Sequence, residues 1–186
     1  MDHPPDDPSD RHALARRIYE TAHITGSFTL RSGVVSSEYF DKYLFEADPA
    51  LLADIARALA PAVGEGVDAL AGLELGGVPI ATMLSQVTGV PARFVRKQAK
   101  TYGTCRLAEG GEVDGQRLLI VEDVVTSGGA VLDAVRELRA RGAICERVVC
   151  VIDRESGGRE GLAAEDLALG PLFTMTELKA SVGAST

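Results

Sequence analysis

Two adjacent carboxylates close an apolar run in the stretch from Arg117 to Val135, RLLIVEDVVTSGGAVLDAV. Glu122 and Asp123 follow Leu118-Leu119-Ile120-Val121, and the hydroxyl- and glycine-rich Thr126-Ser127-Gly128-Gly129 comes next. The apolar run reads as a buried strand, so both acids stand where an ion loses solvation unless it finds a partner. Beyond them a helical pattern begins at about Gly128. The free amides of a helix start, those of the loop, and the hydroxyls of Thr126 and Ser127 make a nest for a phosphate. Gly128 and Gly129 let the backbone approach such an anion closely. The carboxylates would repel a phosphate lying beside them. They must serve another part of the ligand, either vicinal hydroxyls or a magnesium ion. A sugar phosphate meets both demands, with its phosphate in the nest and its ring hydroxyls on the acids.

A second concentration of charge lies between Ala92 and Ala108, where Arg93, Arg96, Lys97, Lys100 and Arg106 stand without a single acid. In a chain of formal net charge −8, this stretch is either a solvated basic loop or a site for a small polyanion. The same net charge argues against nonspecific binding to nucleic acid. No apolar run approaches the ~20 residues that span a bilayer, so no membrane contact is expected. The opening MDHPPDDPSD is acidic and proline-rich, unlike a signal peptide, and reads as a disordered leader over residues 1–10. Cys105, Cys145 and Cys150 are odd in number and lack metal-ligand spacing, which points to a reduced, cytoplasmic setting. His3, His12 and His23 also lack ligand spacing and are read as solvated.

The elements that must hold these groups follow from periodicity and punctuation. With 186 residues and 46% hydrophobic content, the chain suits one domain over residues 11–186. Ser9 can cap a first helix through RHALARRIYETA. GSFTLRSGVVSSEYFDKYLF reads as short strands and turns. DPALLADIARALAPAV is an amphipathic helix with Asp48 as cap and Pro49 at its first position. DALAGL, PARFVR, QRLLIVEDV and ICERVVCVIDR read as strands, and VPIATMLSQVTG and GGAVLDAVRELRARG as helices ended by Gly89 and Gly142. KQAKTYGTCRLAEGGEVDG reads as a long mobile loop with room for a β-ribbon. A short strand at LGPLFTM and a helix at TMTELKAS finish the chain. Strands alternating with helices predict an α/β fold with a parallel sheet covered on both faces. Ligands then bind beyond the carboxyl ends of the strands, where the turn at 74–77, the basic loop after 95 and the acid–glycine loop at 122–129 share one rim. GEGVDA, Gly64 to Ala69, fits a loose dinucleotide-binding pattern but follows a helix and precedes a strand, the reverse of what that fingerprint needs.

LLIVEDVVTSGGA resembles the phosphoribosyl-pyrophosphate (PRPP) signature of the type I phosphoribosyltransferases. FTLRSG (Phe28 to Gly33) with EYFD resembles the N-terminal hood of orotate phosphoribosyltransferases, and VRKQAKTYG (Val95 to Gly103) resembles their mobile catalytic loop. GLELGGVP matches the pyrophosphate loop of that family, and Arg154 in IDR falls where the family sets an arginine against the base. The resemblance spans about residues 15 to 157 and implies the type I phosphoribosyltransferase fold, with a hood at about 24–45 joined by the C-terminal segment. It departs at Tyr102, where a histidine is common, and at Gly76, where many members carry lysine. Both departures bear on the grip on pyrophosphate, and Tyr102 also on the base.

The implied reaction joins orotate and PRPP to give orotidine 5-monophosphate and pyrophosphate. The resemblance puts Glu122 and Asp123 on the ribose hydroxyls. It puts Val124, Val125, Thr126, Ser127, Gly128 and Gly129 around the 5-phosphate, and Gly76 and Gly77 at the pyrophosphate. Arg96, Lys97 and Lys100 neutralise the leaving group, and Asp123 can aid the developing ribose cation. Orotate falls to Arg31, Phe40, Thr126 and Arg154. Phe28 and Phe40 are alternatively core, and Arg154 alternatively a surface partner of Asp153 or Glu155. Magnesium is expected through PRPP and water, not through direct protein ligands. The resemblance also implies a homodimer that shares the catalytic loop between subunits. Two rivals remain: transfer to a different nucleobase, and a non-catalytic PRPP-sensing regulator.

Overall fold

The computed structural model describes residues 8–29, 33, 35–99 and 107–183. Helix α1 (Pro8–Ala22) starts inside the stretch read as a leader, since proline needs no donor in a first helical turn. Strands β1 (His23–Thr29) and β2 (Val35–Phe40) form an antiparallel hairpin, the hood. Asp41 N donates to Ala22 O at 2.8 Å and closes the base of the hairpin. The residues after it were expected to be strand or turn, but they form helix α2 (Lys42–Ala47), capped by the Asp41 carboxylate on Tyr43 N. Two capping aspartates follow in succession, for Asp48 caps α3 (Pro49–Val63) by accepting from Ala50 N and Leu51 N. That second cap was legible. The first was obscured by the aromatic residues Tyr39, Phe40, Tyr43 and Phe45, which favour strands.

The remaining strands are β3 (Ala69–Leu73), β4 (Ala92–Val95), β5 (Ala108–Glu109), β6 (Arg117–Val125), β7 (Ile144–Asp153) and β8 (Ala168–Thr174). They form one sheet in the order β5-β4-β3-β6-β7-β8, parallel except for the two-residue β5, which runs against β4. Helices α4 (Gly77–Thr88), α5 (Gly129–Arg139) and α6 (Gly158–Ala163) connect them, and α7 (Met175–Gly183) ends the described chain. Helix α6 had no counterpart in the sequence reading; its six residues GREGLA carry too little period to find.

Two cores cover the two faces of the sheet, so Leu118 to Val121 of β6 are buried on both sides. Phe45, Leu51, Ile55, Ile80 and Leu84 pack on Leu119 and Val121, while Val131, Val135, Leu138 and Leu162 pack on Ile120 and Val148. The C-terminal segment returns to α1, where Arg11 donates to Leu172 O at 2.6 Å and lies over the Phe173 ring. From β3 the chain passes through α4 to β4 on one side; from β6 it passes through α5 to β7 on the other. The carboxyl ends of β3 and β6 therefore flank the switch point, the crevice where parallel sheets take ligands.

One expectation about a side chain changes. His23, read as solvated, stacks on Tyr19 with centroids 4.8 Å apart and sets Nε2 3.3 Å from Glu38 Oε2. It opens β1 directly after α1, which draws its ring against the helix. Cys145 and Cys150 are buried; burial pushes the Cys145 thiol up to about 11 and Cys150 higher still, so neither is a ready thiolate. Cys105 lies outside the described residues.

Candidate active site

Strand β6 delivers both acids to the switch point and then turns into α5. Gly128 makes the turn at φ +79°, a left-handed conformation that costs a side-chain-bearing residue about 1–2 kcal/mol. No side chain caps α5, so its first amides stay open toward the loop. Thr126, Ser127 and Gly129 are exposed beside them. Arg154 N donates to Val125 O at 2.9 Å and ties this loop to the end of β7. Thr126 to Gly129, following Val124 and Val125, thus bring exposed hydroxyls and uncapped amides together in one turn.

The acids are more enclosed than the sequence suggested. Asp123 is fully buried, and Glu122 is half-buried. Asp123 Oδ1 accepts from Val124 N at 2.5 Å, and Oδ2 contacts the ammonium of Lys42 on α2. Glu46, one helical turn further along α2, is also buried and meets the Asp123 carboxyl. Burial first, and then Asp123, pushes Glu122 up to about 9 and Glu46 up to about 8. Burial lowers the Lys42 ammonium, but its contact with Asp123 more than offsets this and leaves it above its ordinary value. Glu46 Oε1, Glu122 Oε2 and Asp123 Oδ2 are buried without an aligned hydrogen bond, which suits a site built for a polar ligand.

Lys42 and Glu46 were missed in the sequence because α2 was missed. Their signal was the i, i+4 spacing after a capping Asp41. Gly76 gains a steric reason from the same cluster. A Cβ there would lie 1.6 Å from Asp123 Oδ2 and 2.9 Å from Glu46 Oε1. Gly77 is as constrained, since its Cβ would lie 2.2 Å from Val121 O and would force α4 off β6.

The turn after β3 contains a cis peptide between Glu74 and Leu75. Glu74 Oε1 accepts from Lys97 N at 2.6 Å, joining this turn to the basic loop. Of the bases counted there, Arg93 is structural: it donates to Glu112 O, Ala92 O and the Gln116 side chain. Arg96 pairs with Glu109 at 3.3 Å, and the Lys97 side chain is exposed. Lys100, Tyr102 and Arg106 lie outside the described residues, as does Arg31 of the hood. Phe40 packs at the edge of the core, 6.1 Å from the Tyr19 ring. Phe28 faces Tyr39 across the hairpin at 5.5 Å. Arg154 is exposed, and the two acids beside it are committed elsewhere. Asp153 accepts from Glu155 N and lies 3.7 Å from Arg159, and Glu155 accepts from Thr176. A separate cavity of about 180 Å³ opens at the amino ends of β6 and β7, the opposite end of these strands from the two acids. Its arginines are engaged, Arg117 with Glu146 and Arg147 with the carbonyls of Ala62 and Val63.

Residues 45–164 match the family model of the phosphoribosyl transferase domain. An orotate phosphoribosyltransferase from Nocardioides sp. is 56% identical over 168 residues, covering 90% of this chain and 94% of that protein. The orotate phosphoribosyltransferase of Mycobacterium tuberculosis, solved with Fe(III) dicitrate, superposes with a TM-score of 0.82 at 34% identity, over 91% of this chain and 98% of that one. The structure of that enzyme with PRPP superposes at 0.78 and 31% identity, over 91% and 99% of the two chains. Matched along most of its length by the domain model and along nearly all of it by such relatives, the chain belongs to the orotate phosphoribosyltransferases, a family of the type I phosphoribosyltransferase fold.

Proposed function

We infer that this chain transfers the phosphoribosyl group of PRPP to orotate, giving orotidine 5-monophosphate and pyrophosphate for pyrimidine biosynthesis. The observation that carries this reading is the uncapped start of α5 at Gly128, set directly after two carboxyls at the switch point of the sheet. The 5-phosphate rests on the amides and hydroxyls of Val124 to Gly129. Glu122 and Asp123 accept the ribose hydroxyls, and the diphosphate lies toward Gly76 and Gly77. Cleavage at the anomeric carbon builds positive charge on the ribose and negative charge on the leaving group, so positioning and electrostatics supply most of the acceleration. Asp123 stands near the growing cation.

Arg96, Lys97 and Lys100 meet the pyrophosphate as the loop closes and excludes water. Arg96 must give up Glu109 to do so. A partly exposed pair of that kind is worth about 0–1 kcal/mol, so the exchange is cheap. Orotate takes Arg31, Phe40, Thr126 and Arg154; the exposure of Arg154 supports the last of these. Among the described residues no group of three His, Cys, Asp or Glu could hold a metal. The carboxyl oxygens of Glu122 and Asp123 suit magnesium that arrives with PRPP, held by ligand oxygens and water. Bound there, it screens the charge of the diphosphate. The reading includes a single domain over 11–186, a cytoplasmic setting, and a homodimer that exchanges catalytic loops. No described helix is long and apolar enough to cross a membrane.

Pyrophosphate release from PRPP and magnesium, measured with orotate and with a panel of other nucleobases, tests the reading. Turnover with orotate supports it. Turnover only with another base transfers the activity to that base, and PRPP binding without turnover with any base makes the chain a sensor.

A further inference from the structure

Lys42 and Glu46 stand one turn apart on α2, and both reach Asp123 of β6. Three carboxyl groups converge here, those of Glu46, Glu122 and Asp123, with Glu46 7% and Asp123 0% exposed. Among the described groups, the Lys42 ammonium is the cation in contact with them. Asp41 caps the same helix, Tyr43 lies beside Lys42, and the Cys150 thiol faces the cluster from β7. Three ionised carboxylates against one ammonium would bury two uncompensated charges, which a poorly hydrated site does not tolerate. Protons on Glu46 and Glu122, whose values are pushed up to about 8 and about 9, remove that excess. What remains is one carboxylate balanced by one ammonium.

We propose that Lys42 is a positioning residue for phosphoribosyl transfer: its ammonium keeps one carboxylate of the cluster charged where the ribose arrives, and it supplies, next to the diphosphate turn, the positive charge that position 76 cannot carry. The proposal rests on the transfer reading above. Its second clause follows from space. The carboxyls of Asp123 and Glu46 occupy the volume that any side chain at 76 would need. A cation can therefore approach from α2 but not from the turn. The Lys42 side chain is 32% exposed, so its ammonium links the buried acid to the open crevice. Without Lys42 the coupled cluster sheds charge by taking up one more proton. A fully protonated cluster is a poorer acceptor for ribose hydroxyls and offers nothing to a developing cation.

The test is the pH dependence of kcat/KM for PRPP, from about pH 6 to pH 10, in the wild type and in Lys42→Met, Lys42→Gln and Lys42→Arg. Both neutral variants should lose at least about tenfold near pH 7 and recover toward pH ~9, as their acid limb moves upward. Lys42→Arg should keep a limb close to the wild type. A loss of equal size at every pH, or profiles superposable on the wild type, overturns the proposal. Failure of both neutral variants to fold while Lys42→Arg folds would assign Lys42 to stability, which overturns it as well. A wild type that releases no pyrophosphate with orotate sinks the transfer reading itself. Active wild type with indifferent Lys42 variants sinks this proposal alone.

Discussion

Gly128→Ala separates the phosphate nest from the fold around it. Gly128 has φ +79°, and an alanine there pays about 1–2 kcal/mol for the left-handed conformation. Its Cβ would also lie 3.2 Å from Leu162 Cγ and 3.4 Å from Gly158 O, tight contacts that add about 1 kcal/mol. A total of about 2–3 kcal/mol lowers Tm by about 4–12 °C for a chain of this size. Gly89→Ala is the control. Gly89 has φ +75° and nothing within 4 Å, so only the conformational cost applies, about 2–8 °C. It lies beyond the far end of the twelve-residue α4, about 18 Å along the helix from the site. The two variants should therefore resemble each other in melting and part in kinetics. An alanine that relaxes the turn at 128 tips the loop amides away from the 5-phosphate. Loss of one hydrogen bond to a charged group, about 1.5–3 kcal/mol, raises KM for PRPP about 10–100-fold. Gly89→Ala should leave that KM alone. Thermal melts, with pyrophosphate release titrated against PRPP at saturating orotate, read both quantities. A Gly128→Ala enzyme that loses Tm but keeps KM for PRPP within about twofold would falsify the nest, since the glycine would then serve the fold only.

Three further outcomes can be checked on the same protein. Glu46 carries its proton up to about pH 8 in the folded chain but releases it near 4.5 when unfolded. The folded state thus binds the extra proton between these values, and stability falls as pH rises through that window. Glu46→Gln should flatten this fall in Tm for the ligand-free protein, leaving only the part due to Glu122; parallel slopes in the two proteins would refute the burial of a neutral Glu46. Arg154→Ala should leave Tm within about 1 °C, because the side chain is exposed, and raise KM for orotate about tenfold or more with KM for PRPP unchanged. Lys97→Ala should lower kcat about 100-fold without melting the loop, since it is the backbone amide of Lys97 that Glu74 holds; a matching fall in Tm would instead make Lys97 structural.

The part of the site that lies within one continuous segment was legible. Strand β6, its two acids and the glycine turn into α5 are consecutive, and each step has a local signal: an apolar run, a charge where none belongs, then residues that tolerate left-handed backbone. The alternation of β3, α4, β4, β6, α5 and β7 was legible for the same reason, as were Asp48 with Pro49 at the start of α3. The charge count over 92–108 was less informative. It weighted Arg93 equally with Lys97, although Arg93 spends its guanidinium on Glu112 O and Gln116. Composition reports where charge is, not whether it is already satisfied.

The partners of Asp123 were hidden because they come from α2, which is distant in sequence and too short to show a period. A six-residue helix rich in aromatics has the propensity of a strand, and only its cap and its docking on the core decide otherwise. Yet α2 changes the chemistry expected of the site. From sequence, Glu122 and Asp123 were two charges waiting for a ligand. In the fold they belong to a group of three carboxyls and one ammonium that already balances its charge by sharing protons. Ribose hydroxyls arriving there replace contacts among these groups rather than fill a bare acidic pocket. The cost of burying the acids is met before the ligand comes, by Lys42 and by protonation, so the orientation of the acceptors is settled in advance of binding. The bare backbone at Gly76 belongs to the same arrangement, because the room a side chain would take there is where the Asp123 and Glu46 carboxyls meet.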